Sequence, residues 1–324
     1  MPLARDTHAT TMQAARRFRR LADVTVDGVR VVVLGAGLMG SQIGCEYALG
    51  GCSVTLVARD LDAARERMEA AFDLVRDQRL ANASDVAGAR SRIQMLPAGK
   101  SPPRQAGVHA QLIVESLPED IDLKAEVLAP IAALERDALV ATNTSSIAVG
   151  ELGEAVGVSE RIVGAHYWNP PLLMPLVEVV AGQRTPKAKL DWMVALLRAI
   201  GKRPVLLERE VPGLLWNRLQ AAVLRESLWL VEQGVASPET IDEAMRDGLA
   251  RRWRLTGPFQ TVGLGGTAVF DAIAANLFPQ LSAEMESGSF ASHVPVDSKE
   301  LAQLRARRDE ALAADLRAER DQRS

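Results

Sequence analysis

The sequence predicts an α/β fold: a doubly wound sheet followed by a smaller all-helical domain. Three observations carry this. Short apolar runs rich in β-branched residues alternate with helical patterns from Val29 to about residue 210. A glycine-rich turn stands directly between the first run and the helix after it. Beyond Val211-Pro212-Gly213 the strand-like runs stop and only helical patterns remain. The predicted bounds are an N-terminal extension over 1–28, a sheet domain over 29–210, a helical domain over 211–300 and a charged tail over 301–324.

Each element follows from local pattern. Arg30–Leu34 is a continuous apolar run, as a strand buried on both faces requires. Ser41–Leu49 reads as a helix ended by Gly50-Gly51, Ser53–Ala58 as the second strand, and Leu61–Arg79 as a long amphipathic helix. Gln111–Glu115 is a strand. Asp120–Leu134 is a helix with acids in its first turn, where the dipole favours them. Ala138–Thr142, Arg161–Tyr167, Leu176–Val180 and Pro204–Leu207 have strand character, and Pro186–Ile200 is helical. Lys100–Arg104, with two prolines, reads as a surface loop. In the second domain Leu214–Gln233 is a long helix, Ser237-Pro238 starts the next, Thr256-Gly257-Pro258 breaks the chain and Thr267–Leu277 resumes helically. The tail holds six arginines and five acids from Leu301 onward and reads as a solvated helix or a frayed end.

Composition sets the outer limits. A chain of 324 residues suggests two domains, and 48% apolar with 24% charged residues is ordinary globular composition. A net charge of -3 gives no global field for nucleic acid. No apolar run approaches the ~20 residues that span a bilayer. Aromatics are only 4%, so the core is built from Ala, Val, Leu and Ile. Cys45 and Cys52 lack metal-ligand spacing, no metal is expected, and the pair fits a reducing, cytoplasmic compartment. The Arg-rich N-terminus has no apolar segment after it and reads as an extension in preference to a transit peptide.

Gly35, Gly37 and Gly40 have G-x-G-x-x-G spacing, with Leu38 and Met39 between the last two. A strand before and a helix after make this match specific for dinucleotide binding in a Rossmann-type domain. The helix start offers N–H groups and a positive dipole end to phosphates. About 20 residues on, NAD binders place an acid against the ribose 2′-hydroxyl. Here Ala58 holds that place, followed by Arg59 and Asp60. Arg59 suits a 2′-phosphate, while Asp60 suits the ribose if the strand end bends. The expected cofactor is therefore NAD, with NADP open.

A second cluster carries chemistry. His166 lies in Gly164-Ala-His-Tyr-Trp-Asn-Pro-Pro171, and Glu178 follows on the next apolar strand. If the Asn169–Pro175 segment turns the chain back, the two face each other. A carboxylate on an apolar strand needs a partner, and an imidazole base needs its tautomer fixed. The pair alone fits a catalytic base and its orienter as well as a structural hydrogen bond. Ser145, after a strand at the carboxyl edge where such folds bind ligands, is placed to hold a substrate oxygen. Asn217, beside Arg218 on the long second-domain helix, is placed to reach across an interdomain cleft.

Taken together, these motifs resemble the 3-hydroxyacyl-CoA dehydrogenase family. The matching residues are Gly35–Gly40, Glu115-Ser-Leu-Pro-Glu119 with Lys124, Asn143–Ser146, Gly164–Pro171 with Glu178, and Pro212-Gly213 through Asn217-Arg218. The resemblance implies His166 as base, Glu178 as its partner, Ser145 on the substrate oxygen, and Asn217 near substrate and nicotinamide. It places Glu119, Lys124 and Asn143 near the cofactor and implies a homodimer formed through the helical domain. It further implies hydride transfer from the C3 carbinol of a 3-hydroxyacyl-CoA to the nicotinamide. Arg251–Phe259 is similar to the branch with L-gulonate and L-carnitine dehydrogenases, which act on free β-hydroxy acids, and there Arg252 suits a substrate carboxylate. The acyl-CoA reading leads on family size alone. A free β-hydroxy acid, a carrier-bound acyl chain under reduction, and a non-catalytic dinucleotide-binding protein are the alternatives.

Overall fold

The computed structural model describes residues 25–98, 109–284 and 298–321. Most of the extension (1–24) and the Lys100–Arg104 loop lie outside the described residues. Eight strands form one sheet in the order β3-β2-β1-β4-β5-β6-β7-β8. They are β1 (Arg30–Leu34), β2 (Ser53–Ala58), β3 (Ile93–Pro97), β4 (Leu112–Glu115), β5 (Leu139–Thr142), β6 (Ile162–Tyr167), β7 (Leu176–Ala181) and β8 (Arg203–Leu206). Every pairing is parallel except β6 with β7. The chain order reverses at β1, with β2 on one side and β4 on the other. Open α/β sheets bind ligands at such a switch point.

Six helices of this unit cover the sheet: α1 (Leu38–Leu49), α2 (Leu61–Asp77), α3 (Ala83–Ser91), α4 (Ile121–Leu134), α5 (Val149–Val156) and α6 (Lys187–Ala199). Strand alternation divides the core between the two faces. Val31 and Val33 pack on one side with Ile43, Phe72, Met193 and Leu197. Val32 and Leu34 pack on the other with Leu128, Leu152 and Ile162. Burial on both faces is why the strands are continuous apolar runs.

The observed elements add α3, β3 and α5 to those expected. β3 is a half-exposed edge strand with Gln94 in its middle, so it lacks the apolar signature of its neighbours. α1 starts at Leu38, three residues before the predicted Ser41, so Leu38, Met39 and Gly40 form its first turn.

The chain divides into two units. One comprises residues up to Leu215 together with Ala306 onward, and the other is Trp216–Arg305. The second unit is helical throughout its described residues, from α7 (Trp216–Glu232) to Thr267–Leu277. The expected solvated or frayed tail is instead α8 (Ser298–Asp321), and its second half is docked on the sheet unit. Ala313 is fully buried there, with Leu312 and Leu316 packed against the same core. Arg320 donates to Leu80 O at 2.6 Å, Arg317 donates to Gln78 O, and Arg203 pairs with Glu319. Two of the tail's arginines, Arg317 and Arg320, thus reach main-chain carbonyls beside the apolar contact.

This docking makes a stability prediction. Ala313→Asp places a carboxylate in that contact and is expected to lower stability by about 3 kcal/mol. Ala311→Asp, at an exposed position of the same helix, is expected to change it by less than about 0.5 kcal/mol. Urea denaturation of the two variants checks this; equal losses would show that α8 is not held by Ala313.

Candidate active site

The glycine-rich loop has a separate reason for each glycine. Gly35 has φ +96, and a Cβ there would lie 2.4 Å from Ser116 O. A Cβ on Gly40 would lie 1.8 Å from Gly35 O, so the helix start and the loop touch backbone to backbone. Gly37 faces open space, and as N-cap of α1 it leaves that helix start without a side-chain cap. An uncapped N-terminus beside open space is a cradle for a pyrophosphate, so these residues fit a dinucleotide. The loop opens on a cavity of about 560 Å³. Leu38, Met39, Arg59, Glu119, Lys124 and Asn143 all line it. A separate cavity of about 620 Å³, lined by His109, Leu134 and Trp192, lies at the opposite edge of the sheet. None of the predicted site residues lines that one.

The carboxyl edge of β4 and β5 carries a buried ionic network. Glu115 ends β4 and is fully buried. Its Oε1 accepts from Lys124 Nζ at 2.7 Å and from Leu117 N at 2.6 Å, and its Oε2 accepts from Thr142 Oγ1 at 2.6 Å. Lys124 also donates to Leu117 O at 3.1 Å and lies 3.4 Å from Glu119. Glu119, half exposed, accepts from Thr144 Oγ1 at 2.7 Å. Lys124 is therefore neutralised where it stands. It shapes the 115–119 turn against the cavity, and Glu119 is the group of the pair that presents charge there. Sequence reasoning assigned no role to Glu115. The available signal was a lone acid closing an apolar strand with a lysine nine residues later.

His166 and Glu178 are direct cross-strand partners in the antiparallel β6–β7 pair. His166 Nδ1 lies 2.7 Å from Glu178 Oε2. The same oxygen accepts from Trp168 Nε1 at 3.2 Å, and Oε1 accepts from Leu215 N at 2.8 Å. Glu178 is fully buried, so these donors stabilise its charged form. The carboxylate also fixes the orientation of the imidazole through its contact with Nδ1. Asn143 Oδ1 accepts from Tyr167 N at 2.8 Å, joining the β5 edge to the strand that bears His166. Ser145 is half-buried in the same 142–149 loop, and its carbonyl accepts from Gly213 N at 2.9 Å.

Lys202 holds the turn behind His166, and nothing in the sequence marked it. Its ammonium is buried and donates to Pro171 O at 2.7 Å and Met174 O at 3.1 Å. It also lies 2.9 Å from Glu46 Oε2, at ion-pair distance but outside hydrogen-bond geometry. Gln42 Oε1 accepts from Leu172 N at 3.4 Å. The Asn169–Pro175 turn is thereby tied to α1, the helix that starts at the phosphate loop.

Asn217 and Arg252 belong to the helical unit. Asn217 is half-buried in the first turn of α7. Arg252 lines a cavity of about 540 Å³ within that unit, among Val223, Leu230, Met245 and Leu249.

Comparison with known proteins places this arrangement. Residues 30–211 match the NAD binding domain of 3-hydroxyacyl-CoA dehydrogenase, and residues 213–302 match its C-terminal domain. The chain belongs to the 3-hydroxyacyl-CoA dehydrogenase family. It is an NAD-dependent oxidoreductase. Among its relatives, 5-formyl-3-hydroxy-2-methylpyridine 4-carboxylate 5-dehydrogenase of Mesorhizobium japonicum is 32% identical over 260 residues, 78% of this chain and 81% of that one. L-carnitine dehydrogenase of Streptomyces coelicolor is 32% identical over 307 residues, 89% of this chain and 94% of that one. A solved 5-formyl-3-hydroxy-2-methylpyridine 4-carboxylic acid 5-dehydrogenase, described as an NAD+-dependent dismutase, has a TM-score of 0.79 at 28% identity. It covers 89% of this chain and 97% of its own.

The Lys202 contacts predict a pH-dependent defect. Burial pushes the Glu46 carboxyl above the usual range, and Lys202 is the chief influence opposing it. Lys202→Met removes that opposition and the two carbonyl contacts, with an expected loss of about 3–5 kcal/mol. An acid whose folded pKa exceeds its unfolded value keeps its proton longer in the folded state, so stability falls as pH rises through that interval. The variant's deficit against the wild type is therefore expected to be larger at pH 8 than at pH 5. Denaturation at both pH values checks it, and a deficit independent of pH would remove Glu46 from the explanation.

Proposed function

We propose that this protein oxidises the hydroxyl of a small hydroxy acid carried as a free carboxylate, with His166 as general base and NAD as hydride acceptor. The observation that carries the base assignment is the 2.7 Å contact between His166 Nδ1 and a fully buried Glu178. Glu178 holds the ring in one tautomer and stabilises the imidazolium that forms when Nε2 takes the hydroxyl proton. Ser145 hydrogen-bonds the same oxygen and sets its direction toward His166. The family resemblance gives Asn217, on the helical unit, a role toward the substrate. When bound, NAD supplies the nicotinamide carbon that receives hydride from the carbinol carbon. Gly35, Gly37, Leu38, Met39 and Gly40 hold its phosphates, with Glu119 and Asn143 nearby and Lys124 holding their turn in shape. Exclusion of water and alignment of the reacting atoms are the fold's contribution to rate.

A free acid is favoured over a coenzyme A thioester by two observations. Two relatives that span most of the chain are named for free carboxylates. Arg251–Phe259 also has the sequence character of that branch, and Arg252 offers a planar fork for bidentate pairing with a carboxylate. The helical unit exposes Leu255, Phe259 and Leu264, each above 75%, which suits self-association into a homodimer. Two free, buried cysteines, Cys45 and Cys52, suit a reducing cytoplasm.

Two outcomes are expected. His166→Ala lowers kcat by about 10²–10⁴-fold with an unchanged Kd for NAD, measured by steady-state kinetics and nucleotide titration. Retained turnover would remove His166 from the chemistry. Assayed with NAD, L-carnitine and free 3-hydroxybutyrate against 3-hydroxybutyryl-CoA, at least one free acid is expected to exceed the thioester in kcat/KM by about tenfold or more. The reverse order would restore the acyl-CoA reading.

A further inference from the structure

The adenosine end of the nucleotide cavity is built for more negative charge than an NAD ribose carries. β2 ends at Ala58, which is buried and paired in register with Pro97, so no carboxylate occupies the place where one would grip a ribose 2′-hydroxyl. The nearest acid, Asp60, is the N-cap of α2, and its Oδ1 accepts from Ala63 N at 3.0 Å. That carboxylate is oriented by the helix it starts. Two guanidiniums line the same end of the cavity. Arg59 follows Ala58 directly and has no hydrogen-bond or ion-pair partner among the described residues. Arg67 comes from the second turn of α2 and donates to Ala36 O at 3.2 Å, which sets it against the glycine-rich loop. One of its five N–H donors is used there. The other charges on the cavity wall, Glu119 and Lys124, stand apart at the β4 end, where Lys124 pairs with Glu115 at 2.7 Å and lies 3.4 Å from Glu119. Two cations against one capped carboxylate therefore remain beside β2.

We propose that this end of the cavity takes a 2′-phosphate, held by Arg59 and Arg67, so that NADP binds at least as tightly as NAD. Guanidinium pairs with phosphate through two parallel N–H donors, which makes it the suitable group for a tetrahedral dianion on the ribose. A carboxylate on β2 would repel that phosphate, and Ala58 removes the repulsion. The inference rests on the cavity being the dinucleotide site. It is independent of which alcohol is oxidised.

Binding, not turnover, tests it. Calorimetric titrations with adenosine 2′,5′-bisphosphate and AMP, then with NADP and NAD, separate the 2′-phosphate from the rest of the ligand. The bisphosphate is expected to bind about tenfold tighter than AMP, with the advantage falling as salt is raised. Arg59→Ala is expected to weaken NADP by about 10–100-fold while NAD changes by less than about twofold. Arg67→Ala should act in the same direction. AMP bound as tightly as the bisphosphate, NAD preferred over NADP, or an Arg59→Ala loss shared equally by both nucleotides would overturn the proposal and leave the dinucleotide site standing. Failure of AMP and NAD to bind at all would overturn both.

Discussion

The whole site depends on one buried carboxylate. Glu178 sits in the middle of β7, a strand whose other central residues are apolar, where an uncompensated charge would be very costly. Its three recorded donors come from three places: the β6 strand through His166, the β6–β7 turn through Trp168, and the last residue of the sheet unit through Leu215 N. Satisfying that charge therefore fixes the register of the antiparallel pair, the path of the turn and the point where the chain leaves the sheet. The imidazole gains its orientation as a consequence. The contacts that orient His166 and those that specify the local fold are here the same set of hydrogen bonds.

The single antiparallel pairing explains how this is possible. In a parallel sheet, consecutive strands are separated by a long crossover, so two chemically coupled residues rarely sit close in sequence. β6 and β7 are instead joined by a short turn, and His166 and Glu178 face each other across it. The turn hangs over the carboxyl edge, where it must be held without β-ladder bonds. Lys202 and Gln42 supply that hold through main-chain partners. α1 thus connects the phosphate loop at its start to the histidine turn along its length, which couples the two halves of the site through one rigid element.

Much of this was legible from residues alone. Continuous β-branched runs marked seven of the eight strands, and the glycine spacing marked the loop because only glycine fits against Ser116 O and Gly35 O. The His–Glu register followed from a Pro-Pro turn and an acid that needed a partner. Other features left no trace in the pattern. β3 is an edge strand with a polar centre. Lys202 bonds to carbonyls, which every residue carries, so no second side chain announces it. The tail's arginines and acids suggest solvent, yet those charges sit on the flanks of a narrow apolar contact made by Leu312, Ala313 and Leu316. A contact of three small or aliphatic residues is too narrow to dominate the helical pattern.

Glu115 and Glu178 show the same economy at two points of the sheet. Each is a fully buried acid on a core strand, at or near the carboxyl edge, with three recorded donors. They differ in the partner that matters. Glu115 faces a lysine, and the network they build shapes the cavity wall. Glu178 faces the imidazole of His166, the group that the proposed function uses as its base.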